Sequence, residues 1–295
     1  EGVTSLCPTT ITQGEEVLTE ALKNVAKVAA EKTEGAQIVG IHFEGPYLCT
    51  KYKGAQPEQF IVKPNLEQFK RYEAASNNLI KIMTMAVEND EDYQMIRYAS
   101  LRGVAINIGH SAANYSESLF AIANGANGFT HTFNGMSPFN HREPGTVGAA
   151  LRIGTAYTEL ITDGIHVSWP AVNVLFNAKG KDNVVMITDA LQAKGVGEGR
   201  YIFGGQTIDI RSNGGAYLAD TNNLAGSTLR FNTSIRNVIE LAGVNEVSAI
   251  NASTINPARV LKLDHVKGRI RANYDADIVV LDRDYNVLET YVLGK

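Results

Sequence analysis

Short, nearly uninterrupted apolar runs alternate with amphipathic stretches along most of the chain. The runs at 3–8, 37–43, 79–87, 104–108, 128–132, 157–162 and 184–188 predict strands; the stretches at 14–31, 90–101, 116–124 and 170–177 predict helices. Apolar and polar residues do not alternate within the strand runs. Such strands are buried on both faces, as in a parallel sheet covered by helices. Repeated βα units of this kind build either a TIM-type barrel or a doubly wound sheet. Seven runs fall in βα rhythm, whereas a closed barrel needs eight strands. The first run begins almost at residue 1, with no helix or cap before it. The expectation is an α/β fold, a TIM-type (β/α)8 barrel whose first strand lies upstream of this sequence.

The pattern changes in the last third. Segments 200–210 and 215–219 predict a β-excursion from the barrel, near 200–220, and 227–243 and 245–258 predict helices. Two final strands, at 277–282 and 287–293, flank a polar Asp-Arg-Asp-Tyr-Asn turn. Two strands do not make a stable sheet alone. They are expected to be a remnant of a small β-sandwich domain, dividing the chain into a barrel over 1–265 and β-domain strands over 266–295.

Composition narrows the function classes. Among 295 residues, 27 Lys and Arg face 31 Asp and Glu, a net charge of −4, which argues against a nucleic-acid partner. The two cysteines, Cys7 and Cys49, are too few for a disulfide framework and suit a reducing compartment. No apolar run reaches the roughly 18 residues of a membrane helix, and residues 1–4 carry no basic signal region. The expectation is a cytoplasmic protein with a small-molecule substrate and neither membrane nor nucleic acid as partner.

Chemistry gathers at the strand ends. Gly40-Ile-His-Phe-Glu44 ends in a carboxylate, Ala105-Ile-Asn-Ile-Gly-His110 and Gly128-Phe-Thr-His131 in imidazoles, Leu160-Ile-Thr-Asp163-Gly-Ile-His166 in both, and Val185-Met-Ile-Thr-Asp189 in a carboxylate. In a (β/α)8 barrel these ends meet at one face, where active sites lie. Glu44, His110 and His131 then form an N,O donor set suited to Zn²⁺ or Fe²⁺, with a coordination position left for water. The competing reading makes each a helix cap, loop anchor or satisfied core group. His42 shares a strand face with Glu44, and packing is its simpler role. Asp189 is the candidate general base, able to take a proton from a metal-bound water and return it to a leaving amine. Its alternative is a structural turn cap. The loop Asn134-Gly-Met-Ser-Pro-Phe-Asn-His-Arg142-Glu-Pro-Gly145 carries an Arg suited to phosphate and backbone donors around Asn134 and Gly135; a surface pair with Glu143 is the alternative.

At these residues the chain resembles the N-acetylglucosamine-6-phosphate deacetylases of the amidohydrolase superfamily. The resemblance rests on Gly40-Ile-His-Phe-Glu-Gly-Pro46, Lys53-Gly-Ala-Gln56, Gly109-His-Ser111, Thr130-His-Thr-Phe-Asn-Gly-Met136, His141-Arg-Glu-Pro-Gly145, Asp163-Gly-Ile-His166, Ile187-Thr-Asp-Ala190 and Leu224-Ala-Gly-Ser227. Asn256-Pro-Ala258, Gly268 and Asp275-Ala-Asp277 are similar to the closing segment of the superfamily. The resemblance implies hydrolysis of the acetamide of N-acetylglucosamine 6-phosphate, with Glu44, His110 and His131 as ligands of a divalent metal (Zn or Fe) and Asp189 as acid/base. It further implies substrate contacts from Ala55, Gln56, Asn134, Gly135, Asp163, His166, Leu224, Ala225 and Gly226. Arg142 would reach the phosphate held by a neighbouring subunit, hence a homodimer. Gln56 stands where some members carry a His that polarises the substrate carbonyl. Members also have an upstream strand, often ending in His-x-His, so this chain alone supports one metal site. The alternatives are another amidohydrolase, dihydroorotase-like or acting on N-acyl amino acids, and an inactive barrel that binds a sugar phosphate.

Overall fold

A computed structural model describes residues 1–31 and 34–295. Six of the apolar runs pair side by side as parallel strands: β3 (Ile41–Glu44), β4 (Ile80–Met85), β5 (Ala105–Ile108), β6 (Ala126–Phe129), β7 (Tyr157–Ile161) and β8 (Val184–Ile187), in the order β3-β4-β5-β6-β7-β8. Ahead of them, β1 (Ser5–Leu6) runs parallel to β2 (Gln37–Ile38), and a parallel bridge between Thr9 and His42 carries that pairing to β3. All seven expected strands are present, each shorter than its apolar run, and β6 starts two residues before the run expected at 128–132. The run 37–43 is split into β2 and β3. Among the described residues no ladder joins β8 to β1.

Helices cover the outer face: α1 (Glu15–Ala30), α2 (Leu66–Ala75), α3 (Gln94–Leu101), α4 (Tyr115–Ala123), α5 (Gly145–Arg152) and α6 (Trp169–Lys179). Local chemistry sets their ends. Asn114 and Glu117 form a reciprocal capping box at α4, and Asn65 accepts the Gln68 N–H at the start of α2. The helix expected from residue 90 begins four residues later, because Asp92 and Tyr93 sit in the left-handed region. Asp90 still serves that helix, its carboxylate accepting the Met95 and Ile96 N–H groups. Nothing in the hydrophobic pattern announces α2 or α5. Helix α5 opens Gly-Thr-Val-Gly, a poor helix former, yet Gly145 through Ala150 are all buried. Packing overrides propensity there.

Phe43, Tyr47, Phe69 and Tyr72 interlock behind β3, with Phe43 and Tyr72 centroids 5.0 Å apart, and all four are fully buried. Burial of each ring contributes about 1.5–3 kcal/mol. A second core, around Leu160, Leu175, Phe176 and Val238, covers the other end of the sheet. Inside the curl, Ile82, Ala105, Val185 and Val260 form an apolar floor. Above it the side chains are polar. His42 Nε2 lies 2.7 Å from Thr84 Oγ1, which lies 2.6 Å from Thr130 Oγ1, and Asn107 donates to Glu159 at 2.9 Å. Burial pushes His42 down to about 4 and Glu159 up to about 8, so both are neutral at pH 7.

Lys179, at the end of α6, is buried and donates its ammonium to the Ile153 carbonyl that closes α5. Burial lowers its pKa to about 8. A lysine held below its unfolded value destabilises the fold while charged, and that cost is relieved once both states release the proton. Stability linked to this residue therefore rises with pH between about 8 and the unfolded value of ~10.4. In Lys179→Met this increment disappears. Denaturation at pH 7.5, 9 and 10.5 measures it as a gap between wild type and variant that changes across the window; a constant gap refutes the assignment.

The excursion is a three-stranded antiparallel sheet in the order β11-β10-β9, built from β9 (Gly199–Phe203), β10 (Gln206–Ile210) and β11 (Ala216–Leu218). Gln206 donates to the Ala55 carbonyl at 2.6 Å and Gln13 to the Gly204 carbonyl at 2.9 Å, tying this sheet to the loops after β3 and β1. Helix α7 (Phe231–Glu240) follows. The stretch expected as one helix over 245–258 is two, α8 (Glu246–Ser253) and α9 (Ile255–Val260), broken at Thr254. Pro257 falls in the first turn of α9, where its missing N–H is not needed. The tail forms an antiparallel pair, β12 (Ile278–Leu281) and β13 (Val287–Tyr291), around a turn in which Asp282 accepts the Asp284 and Asn286 N–H groups. No helix among the described residues is long and apolar enough to cross a membrane.

Candidate active site

Each chemical group stands where a strand stops. Glu44 is the last residue of β3. His110 follows β5 by two residues, and His131 and Asp189 follow β6 and β8 at the same interval. His110, His131 and Asp189 all have positive φ, at 48°, 30° and 47°. A non-glycine residue in that region costs about 1–3 kcal/mol and persists where its surroundings impose it. Here the reversal ends each strand.

The three expected ligands converge. His110 Nε2 lies 2.8 Å from Glu44 Oε1, His131 Nε2 lies 3.3 Å from the same oxygen, and the two Nε2 atoms are 3.1 Å apart. In a tetrahedral site with bonds of about 2.0–2.1 Å, neighbouring donors stand ~3.3 Å apart. The opposite ring nitrogens are committed. His110 Nδ1 donates to the Tyr52 carbonyl at 2.8 Å and His131 Nδ1 to the Asn134 carbonyl at 3.1 Å. A carbonyl only accepts, so each Nδ1 carries the proton and each Nε2 can present a lone pair. All three residues are buried. This is a donor set that fits a divalent cation. Burial alone would raise Glu44, but the two imidazoles hold it well below the usual carboxylate range. Burial opposes charge on His131, yet the Glu44 carboxylate brings it up to about 9, so a cation bound here takes the place of the Nε2 proton.

A cavity of about 450 Å³ opens above these donors, lined among others by Glu44, His110, His131, Asp189, His166 and Gln56. Burial, and next the negative charge of Glu44, push Asp189 up to about 6. Gln56 bridges two walls: its Oε1 accepts the Thr12 N–H at 2.8 Å and its Nε2 lies 3.3 Å from Glu44 Oε1. Ala55, Asn134, Gly135, Leu224 and Gly226 also line the cavity. Gly135, at φ 58°, backs directly onto His110; a Cβ there would fall 2.8 Å from its Nδ1. Three expected substrate contacts stand elsewhere. Ala225 is fully buried, its N–H donating to Ala216. Arg142 is exposed on its loop, outside the cavity lining, and forms no ion pair with Glu143. Asp163 turns from the cavity to bond His166 Nδ1 at 2.6 Å.

The amidohydrolase family model matches residues 1–295. The chain belongs to the amidohydrolase family. It is 38% identical over 297 residues to N-acetylglucosamine-6-phosphate deacetylase of Bacillus subtilis (strain 168), covering 100% of this chain and 74% of that protein. It is 36% identical over 295 residues to N-acetylgalactosamine-6-phosphate deacetylase of Escherichia coli O157:H7, covering 100% and 78%. Among solved structures, a mutant N-acetyl-D-glucosamine-6-phosphate deacetylase of Mycobacterium smegmatis in complex with N-acetyl-D-glucosamine 6-phosphate superposes with a TM-score of 0.93 at 31% identity, covering 99% of this chain and 76% of that one.

The cavity of this amidohydrolase has walls that reasoning from strand ends does not reach. Thr9, Thr10 and Ile11 follow β1, Leu191 and Gln192 follow Asp189, and Phe203 comes from the excursion. Thr10 Oγ1 accepts the Glu44 N–H at 3.1 Å. Only the Thr-Thr pair directly after the first apolar run hinted at this wall. Phe203 is an aromatic in a strand of mixed polarity, and no local signal marks it.

Proposed function

We propose that this amidohydrolase hydrolyses the acetamide of N-acetylglucosamine 6-phosphate, releasing acetate and glucosamine 6-phosphate. One observation carries the reading. A buried Glu44–His110–His131 donor set and the carboxylate of Asp189 line one cavity. A divalent cation bound by Glu44, His110 and His131 supplies Lewis acidity toward the acetyl carbonyl and the attacking water; one carboxylate and two imidazoles suit Zn²⁺ or Fe²⁺.

Asp189 accepts a proton as water adds to the acetyl carbon. It then delivers that proton to the sugar nitrogen as the carbon–nitrogen bond breaks, so no free amide anion forms. Its pKa of about 6 leaves it largely ionised at neutral pH and still able to return the proton. Gln56 directs its amide N–H₂ into the same wall because Thr12 engages its oxygen, and it supplies a neutral hydrogen bond near the carbonyl. His166, Asn134, Gly135, Leu224 and Gly226 bound the sugar. Arg142, exposed beyond the cavity, serves the phosphate of a neighbouring subunit in a homodimer. Cytoplasmic location and the division into a barrel over 1–265 and β-domain strands over 266–295 complete the proposal.

The test is acetate release by metal-loaded protein from N-acetylglucosamine 6-phosphate, N-acetylgalactosamine 6-phosphate and unphosphorylated N-acetylglucosamine. The glucosamine epimer with phosphate should turn over fastest. Preference for the galactosamine epimer moves the substrate to that sugar. No release from any of the three removes the deacetylase reading.

A further inference from the structure

The turn after β7 reads Thr162-Asp163-Gly164-Ile165-His166. Its acidic side chain is engaged on both oxygens. Oδ1 accepts the Ile165 N–H at 2.8 Å and the His166 N–H at 2.9 Å, while Oδ2 accepts from His166 Nδ1 at 2.6 Å. Both side chains are shielded, at 8% and 6% of full exposure. The turn is also braced from behind. Gly164 has φ 75°, and the Trp169 indole is packed so closely that a Cβ on this glycine would fall 2.4 Å from Cζ2. Of the pair, His166 lines the cavity and Asp163 does not.

We propose that Asp163 is a positioning residue, which locks the imidazole of His166 with Nδ1 protonated and Nε2 free toward the substrate. The claim about the substrate rests on the deacetylase reading; the claim about the imidazole does not. An ionised carboxylate only accepts, so the ring nitrogen facing it must donate in both charge states of the ring. A free imidazole divides between two tautomers, and the contact with Oδ2 selects one. Burial would raise Asp163, but the His166 ring and the two amide N–H groups hold it below the usual carboxylate range, which keeps it an acceptor. Nε2 then accepts a hydrogen bond from a sugar hydroxyl when the ring is neutral and donates to an anionic group when it is charged. The same carboxylate fixes both the loop and the ring, so the nitrogen shown to the ligand is set before binding.

Nitrogen NMR of ¹⁵N-histidine-labelled, metal-loaded protein reads the ring directly, with the His166 signals identified by their loss in His166→Gln. The expected result is a ring protonated at Nδ1 in either charge state, with a strongly downfield Nδ1–H proton. A ring protonated at Nε2 and not at Nδ1 overturns the proposal, whatever the enzyme's activity. The second arm is Asp163→Asn. Its oxygen can still accept the two backbone N–H groups, but its N–H₂ then faces Nδ1 and enforces the other tautomer. KM for the sugar phosphate should rise roughly ten- to a hundredfold, with kcat lowered much less and the Nδ1–H signal lost. Wild-type KM in a folded Asp163→Asn overturns the proposal. If that variant does not fold, the tautomer in the wild type decides. Absence of deacetylation by the wild type would remove the substrate reading and leave the tautomer measurement standing.

Discussion

Asp189→Asn lowers kcat about 10²- to 10⁴-fold with little change in KM, the range typical of losing a positioned general acid/base. The substitution keeps size and shape and removes only the ability to take up a proton. Asp189 sits two residues beyond β8, in a left-handed conformation that turns it into the cavity. Burial and the Glu44 charge bring it up to about 6, close to where a proton carrier is most effective at neutral pH. The amide variant should retain its cation, because Asp189 is not among the three converging donors. Its thermal midpoint should also stay near that of the wild type, since Asn avoids burying a charge. The decisive measurement pairs steady-state kinetics with metal content. Near-normal kcat in a metal-loaded Asp189→Asn would take the proton transfer away from this residue.

Removal of the cation has an effect of similar or larger size. Lewis-acid stabilisation is worth several kcal/mol, and each 1.36 kcal/mol is tenfold in rate, so chelator-stripped protein should lose activity about 10³-fold or more. Adding back Zn²⁺ or Fe²⁺ should restore it. Glu44→Ala should bind no cation at the site, because it removes the oxygen that both imidazoles approach at 2.8 and 3.3 Å. It also leaves two buried imidazoles facing each other 3.1 Å apart. A ligand that binds only the folded state raises its stability by mass action, so metal should raise the thermal midpoint of the wild type and not that of Glu44→Ala. Full turnover in protein shown to be free of metal would refute the metal-dependent reading.

The site was legible where its chemistry coincided with the rhythm of the strands. Glu44, His110 and Asp189 each follow an apolar run and His131 lies at the end of one, and a parallel sheet gathers the ends of such runs on one side. Their types alone suggest a metal centre and a proton carrier. Less legible were groups whose role depends on direction. Asp163 reads as one more carboxylate at a strand end, yet it faces His166 and not the cavity. Gln56 reads as a substrate contact, and it is also tied to Thr12 and Glu44. Helix α5 lay hidden in a glycine-rich stretch because burial, not propensity, makes it helical.

Taken alone, the order of residues determined the βα succession, the residue types at the strand ends and the polar β-excursion, all encoded in local periodicity and short motifs. Only the tertiary structure decided which strand-end groups meet, which imidazole nitrogen each histidine offers, and that three of those residues adopt positive φ. These outcomes come from contacts between segments dozens of residues apart, as when the Tyr52 carbonyl fixes the His110 ring. Local sequence carries no record of such contacts, because their geometry exists only after the sheet has curled.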